Sequence, residues 1–202
     1  MKKTMPLLFA AALTAGVVTF ATTREALAET KGAAPAITPA EVNAAQQAWC
    51  DALVAIGKAH SDKGDAKALA TKVLSDAYDY DKGKVFFKPT LTHGEQTFRP
   101  SKESALAYFV GGNPAFPGDK GFALNPWVKA RYDNLGDGDT GIQIHGDMAI
   151  TMGNVWVTAA NGTEVKVDKT FVFKKGSDSK LRLVLHHSSL PYSPPAKAEG
   201  AK

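Results

Sequence analysis

The densest chemistry in this chain sits at the end of one apolar run. "LRLVLHHSSLPY", Leu181 to Tyr192, carries five residues of strand character straight into His186, His187, Ser188 and Ser189. An imidazole titrates near neutral pH, and a hydroxyl both donates and accepts hydrogen bonds. Together they can hold a water molecule and take its proton. The plain alternative is that such groups at a strand end only satisfy backbone donors and acceptors. The doubling of both residue types on an apolar strand favours the chemical reading.

Strand side chains alternate between faces. Leu181, Leu183, Leu185, His187 and Ser189 then share one face, and Arg182, Val184, His186 and Ser188 the other. The first set is the more apolar. Alternation therefore turns His187 and Ser189 toward a core or pocket, and His186 toward solvent or another subunit. The reverse assignment, with His186 and Ser188 inside, stays open.

A metal site is a poor fit to the histidines. The five are His60, His93, His145, His186 and His187, and no HxH, HxxxH or HExxH spacing occurs among them. A catalytic zinc takes about three protein ligands, and neighbours on a strand point to opposite faces.

The elements that must position these groups are readable upstream. "TPAE" at Thr38 places a cap, Pro at the first helical position and Glu three residues after the Thr. Val42, Ala45, Trp49, Leu53 and Ile56 follow at helical spacing. Asp65 begins a second helix with Ala66, Leu69, Val73 and Ala77 on one face. "KVFFKPT" reads as a strand stopped by Pro89. Ser101 caps a third helix that ends at Gly111-Gly112.

From Trp127 onward the pattern is β. "GIQIHGDMAITM" alternates as one run, with Ile142, Ile144, Met148, Ile150 and Met152 on one side. Asn161-Gly162 marks a hairpin between two further strands. The order is α-α-β-α-β-β-β-β. It predicts an α+β fold: a curved antiparallel sheet covered by three helices, a cone with a pocket at its open end.

Outside this domain, 38–192, three segments read differently. Residues 1–28 have Lys2 and Lys3, an apolar stretch and "ALA" at Ala26–Ala28, the layout of a secretory signal peptide. The stretch is short and rich in Ala, Thr and Gly against the ~20 apolar residues of a membrane helix. No membrane anchor is expected once it is cleaved, and the protein is expected to be exported, in the periplasm. Residues 29–37 read as a linker and 193–202 as a disordered tail. Cleavage lowers the formal charge from +4 to +2, and no basic run with interleaved aromatics remains. Nucleic acid is therefore not an expected partner. The single cysteine, Cys50, excludes an internal disulfide.

"FFKPT", "RPSKESALAYFVGG", "DKGFALNPW", "VKVDKTFVF" and "LRLVLHHSSLPY" together resemble the iota-class carbonic anhydrases. That family lies in the nuclear transport factor 2-like superfamily, related to the association domain of calcium/calmodulin-dependent protein kinase II. The likeness spans about Pro39 to Tyr192. It implies reversible hydration of carbon dioxide to bicarbonate and a proton, in a cone-shaped barrel that is usually a homodimer. It also implies a site lined by a Thr, a Tyr, a His and a Ser. The matching motifs place the Thr at Thr90 and the Tyr at Tyr108. Alternation resolves the other two as His187 and Ser189, with His186 and Ser188 as further substrate contacts or as the alternative pair. Phe86, Phe87, Phe109 and Phe171 are candidate dry walls for the gas. The resemblance implies no resident cofactor, with zinc or manganese as the alternative. Lys169 departs from expectation, because it shares a face with Val165, Val167, Phe171 and Phe173.

Two other functions compete. A non-catalytic association or small-ligand-binding module of the same fold needs no chemistry. A carboxylate-based isomerase or dehydratase needs an acid inside the cone, and Asp147 and Asp168 alternate outward.

Overall fold

The computed structural model describes residues 36–136 and 138–194. The leader expected over 1–28 lies outside them, as do all but the last two residues of the linker and all but the first two of the tail.

Three helices form where caps and spacing place them. Helix α1 runs Pro39–Ser61. Its capping box closes both ways: Glu41 N–H donates to Thr38 Oγ1 at 3.3 Å and Thr38 N–H to Glu41 Oε2 at 2.9 Å. Two orphan donors of the first turn are thereby satisfied. Val42, Gln46, Trp49, Cys50, Leu53 and Ile56 are its buried stripe. Helix α2, Ala66–Ala77, starts from Asp65, whose carboxylate accepts from Ala68 N–H at 2.8 Å. Helix α3, Lys102–Val110, starts from Ser101 and stops at Gly111. Gly111 has φ +64°, a conformation that side chains resist.

Six strands make one sheet. They are β1 Phe86–Lys88, β2 Trp127–Asn134, β3 Ile142–His145, β4 Met148–Ala159, β5 Glu164–Lys175 and β6 Leu181–Ser189. The order is β1-β6-β5-β4-β2, with β3 also on β4. All pairs are antiparallel except β1 with β6, which run in the same direction. The expected α+β architecture is present. Gly162, with φ +82°, sits in the turn that joins β4 to β5.

Two strand expectations need correction. The run 141–152 is two strands, turned at Gly146 (φ +61°). The second half of that run continues into the next expected strand as β4, Met148–Ala159, and the fifth strand after α3, where the pattern gave four, is β2, Trp127–Asn134. The side of β4 that carries Ile150 and Met152 faces outward, while Ala149 and Thr151 are buried. Period-2 alternation groups residues by face but does not say which face is covered.

The second correction concerns β6. Leu185 pairs with Val172 and Leu183 with Phe173, so Val184 is an extra residue, a bulge. A bulge resets alternation beyond it. Leu183 points inward, and beyond Val184 the inward residues are His186 and Ser188, at 1% and 0% exposure. His187 is exposed and Ser189 half-buried. The orientation expected from strict alternation is reversed at both pairs.

Candidate active site

The inward row of β5 is Val167, Lys169, Phe171 and Phe173, all buried. Register sets Lys169 opposite Ser188 and Phe171 opposite His186 on β6. A continuous buried hydrogen-bond chain results. Trp49 Nε1 of α1 donates to Tyr78 Oη at 2.9 Å. Tyr78 Oη lies 2.8 Å from His186 Nδ1. His186 Nε2 lies 2.9 Å from Lys169 Nζ and 3.3 Å from Ser188 Oγ. Lys169 Nζ also bonds Ser188 Oγ.

Aromatic rings wall this chain. Phe87 of β1 stacks on His186 at 4.4 Å, and Phe171 meets it edge-on at 4.8 Å. Lys169 Nζ sits 4.8 Å from the Trp49 ring centroid. Low polarity disfavours charge. Burial lowers Lys169 from an ordinary 10.5 to about 7. Burial, then the Lys169 charge, holds His186 well below the usual imidazole range. Burial also raises Tyr78 well above the phenolic range. Charge in this cluster is thus costly and protons are the exchangeable quantity.

A second group lies beyond Phe87. The Phe87 ring packs on Tyr108 of α3 at 5.9 Å. The Tyr108 hydroxyl is buried and has no hydrogen-bond partner among the described residues, although Thr90 is its near neighbour and slightly offsets the effect of burial on its acidity. Burial dominates and raises Tyr108 to about 12. Thr90 is itself buried. Tyr108 borders an open cavity of about 490 Å³, closed by Leu91, Asp119, Gly121, Phe122 and Asn125. The cavity wall is pinned. Asp119 receives Arg99 Nη2 on both oxygens, at 2.9 and 3.1 Å, and Arg99 N–H donates to Phe87 O at 2.8 Å.

The expected residues thus fall into two adjoining groups. Thr90 and Tyr108 are neighbours, and Tyr108 borders the cavity. His186 and Ser188, with Phe171, belong to the buried chain, and β1 links the groups. Phe87 pairs with His186 in register, and Lys88 Nζ donates to Ser188 O at 2.7 Å. His187 and Ser189 border a different cavity, about 370 Å³, on the outward face with Asn154 and Asp168. Phe86 is 71% exposed, while alternation in β1 turns Phe87 inward; with Phe87, His186 and His187 it lines an outer cavity of about 220 Å³. Phe109 is buried and stacks on Phe87 at 5.7 Å. Tyr78 had no signal in the sequence: it sits past the end of α2 and reaches the sheet through one isolated bridge to Leu183. Trp49 read as a core residue, and its indole N–H adds a polar role.

A family profile described as metal-independent carbonic anhydrase matches residues 40–190. The chain belongs to that family. A metal-independent carbonic anhydrase of Nostoc sp. (strain PCC 7120 / SAG 25.82 / UTEX 2576) is 53% identical over 159 residues, 78% of this chain and 75% of the relative. The crystal structure of a cyanobacterial iota-carbonic anhydrase complexed with bicarbonate has a TM-score of 0.75 at 52% identity. It covers 79% of this chain and 95% of its own. A structure from Xanthomonas campestris, described as a calcium/calmodulin-dependent protein kinase II association domain, reaches 0.49 at 22% identity, over 76% and 88%. Carbonic anhydrases are carbonate dehydratases, a class of lyase, and this family works without a metal cofactor. Among the described residues no group of three His, Cys, Asp or Glu side chains is placed to hold an ion.

Proposed function

We propose that this chain hydrates carbon dioxide reversibly at the cavity beside Tyr108, with Thr90, Tyr108, His186 and Ser188 as the reacting set. The observation that carries this reading is the buried, unpartnered hydroxyl of Tyr108. A buried donor without an acceptor costs on the order of 1–3 kcal/mol. It becomes useful when an oxygen gaining negative charge arrives, because a preorganised donor then stabilises it.

The metal-free route has a definite energetic shape. Zinc lowers the pKa of bound water from about 15.7 to about 7, worth roughly 12 kcal/mol at 1.36 per unit. Hydroxyls cannot match that, so no standing hydroxide forms. The proton must leave as water attacks. A positioned base contributes ~10²- to 10⁴-fold, and fixing water against the carbon adds an orientation advantage. Thr90 and Ser188 are hydroxyls that hold water in one pose, Tyr108 donates to the developing oxyanion, and His186 orients the Ser188 hydroxyl through Nε2.

The solved cyanobacterial relative is described as a bicarbonate complex, which supports bicarbonate as the ligand here. The apolar residues left outward, Leu135, Ile150 and Met152, support a homodimer through the outer sheet face. The N-terminal charge, apolar stretch and Ala26–Ala28 support export to the periplasm.

Stopped-flow hydration of purified protein, with and without chelator, tests the reading. Activity should survive chelation and drop in Thr90→Ala, Tyr108→Phe and Ser188→Ala. No activity with any metal would favour a non-catalytic module. Loss to chelator with recovery on zinc would restore the metal-site alternative.

A further inference from the structure

Among the described residues four cationic side chains are buried: Arg99, Lys169, Lys175 and Arg182. Three have a carboxylate. Arg99 has Asp119 at 2.9 Å, Lys175 has Glu41 at 2.7 Å and Arg182 has Asp178 at 2.6 Å. Lys169 alone has none within 4 Å among the described residues, although it is only 4% exposed. Buried charge without a partner is expensive, so a lysine kept only for structure would be expected to have one.

Every element around Lys169 withholds negative charge. From α1 come the Trp49 ring and Cys50, whose thiol burial pushes up to about 12 and so keeps neutral. Lys88 of β1 adds positive charge. On β2, Tyr132 is raised to about 12 by burial and stays protonated. The residue opposite on β4 is Gly153, which has no side chain. On β6 the contacts are His186 and Ser188, while His187 faces out. The next acid along β5, Asp168, is turned to Asn154 on the other face.

We propose that Lys169 is the terminal proton acceptor of the hydration reaction, receiving through Ser188 the proton that water loses as it attacks carbon dioxide. This rests on the functional reading above and adds to it the group on which the proton comes to rest. The geometry favours Lys169 over the imidazole alone. Its nitrogen touches both Ser188 Oγ and His186 Nε2, and His186 resists becoming a cation.

The step balances. One C–O bond forms between water and the carbon while one C=O π pair moves onto its oxygen, and one O–H bond of water breaks. Ser188 passes its own proton to the lone pair of the neutral amine and takes one from water. The products are bicarbonate and an ammonium at Lys169. After bicarbonate leaves, the ammonium returns the proton through Ser188 to entering water and then to a buffer base. His186 accommodates both states as one tautomer: Nδ1–H donates to Tyr78 Oη, and Nε2 accepts an N–H of Lys169 whether the amine is neutral or protonated.

The test pairs a titration with kinetics. The full chain is labelled with lysine carrying ¹³C at Cε, and Lys169→Met identifies the signal by its loss. The Lys169 resonance should titrate near pH 7; a midpoint above 9 overturns the proposal. Wild-type kcat/KM should rise with pH through the same midpoint. Lys169→Met and Lys169→Arg should lower kcat by ~10²-fold or more, with KM little changed and the rise with pH gone. A variant that keeps the wild-type rate and profile overturns the proposal while leaving the hydration reading intact. A wild type that hydrates no carbon dioxide overturns both. If Lys169→Met does not fold, Lys169→Arg and the titration decide.

Discussion

Tyr108 separates stability from activity in one atom. Its hydroxyl is buried without a partner, so Tyr108→Phe should leave the fold as stable or raise stability by about 1 kcal/mol. The same change should cut hydration by ~10²-fold if the hydroxyl serves the oxyanion. Urea unfolding and stopped-flow assays on one preparation check both halves. The two histidines should behave differently. His186→Gln breaks contacts to Tyr78 and Lys169 and should abolish most activity. His187→Gln lies on the exposed side and should change the rate by less than about twofold, the ordinary result for a surface substitution.

Elements hold these atoms through a few close approaches. Gly57 in α1 is one. A Cβ there would lie 2.4 Å from Asn125 O and 3.1 Å from Ala123 O, both backbone atoms. The 3₁₀ turn Phe122–Leu124 supplies Phe122, which stacks on Tyr108 at 5.7 Å. Gly57→Ala should therefore push this segment off α1, cost roughly 1–3 kcal/mol and lower activity through Tyr108. A shift of the denaturant midpoint with a parallel loss of rate is the expected pattern. Helices proved legible because their signals are local: a cap at Thr38, Asp65 or Ser101 and a 3.6-residue stripe depend on neighbours in the chain. The face of β6 was not legible. Its first residues obey alternation, and the bulge at Val184 depends on pairing with Val172 and Phe173 on another strand. Nothing local in "LRLVLHHSS" records it. The Tyr78 contribution is hidden for the same reason, since 108 residues separate it from His186.

At the scale of the whole molecule, Lys169 makes stability depend on pH in an unusual direction. Its folded value is about 7 against an ordinary 10.5. Between these two pH values the unfolded chain binds a proton that the folded chain does not, so this group adds stability as pH rises. Its destabilising effect is full below about pH 7 and fades toward 10.5. Lys169→Met should gain stability over wild type at pH 6, and that gap should narrow by pH 9. Thermal melts of both proteins across this window read the difference, which cancels the titration of other groups.

Cys50 offers a view of the same molecule from inside. The chain has one cysteine, sealed at 0% exposure on α1, and burial raises its thiol to about 12. A thiol reagent needs both access and the thiolate, and the native state grants neither. The speed at which such a reagent modifies this chain therefore counts excursions in which α1 lifts from the sheet, so the protein carries its own clock for opening without any engineered label.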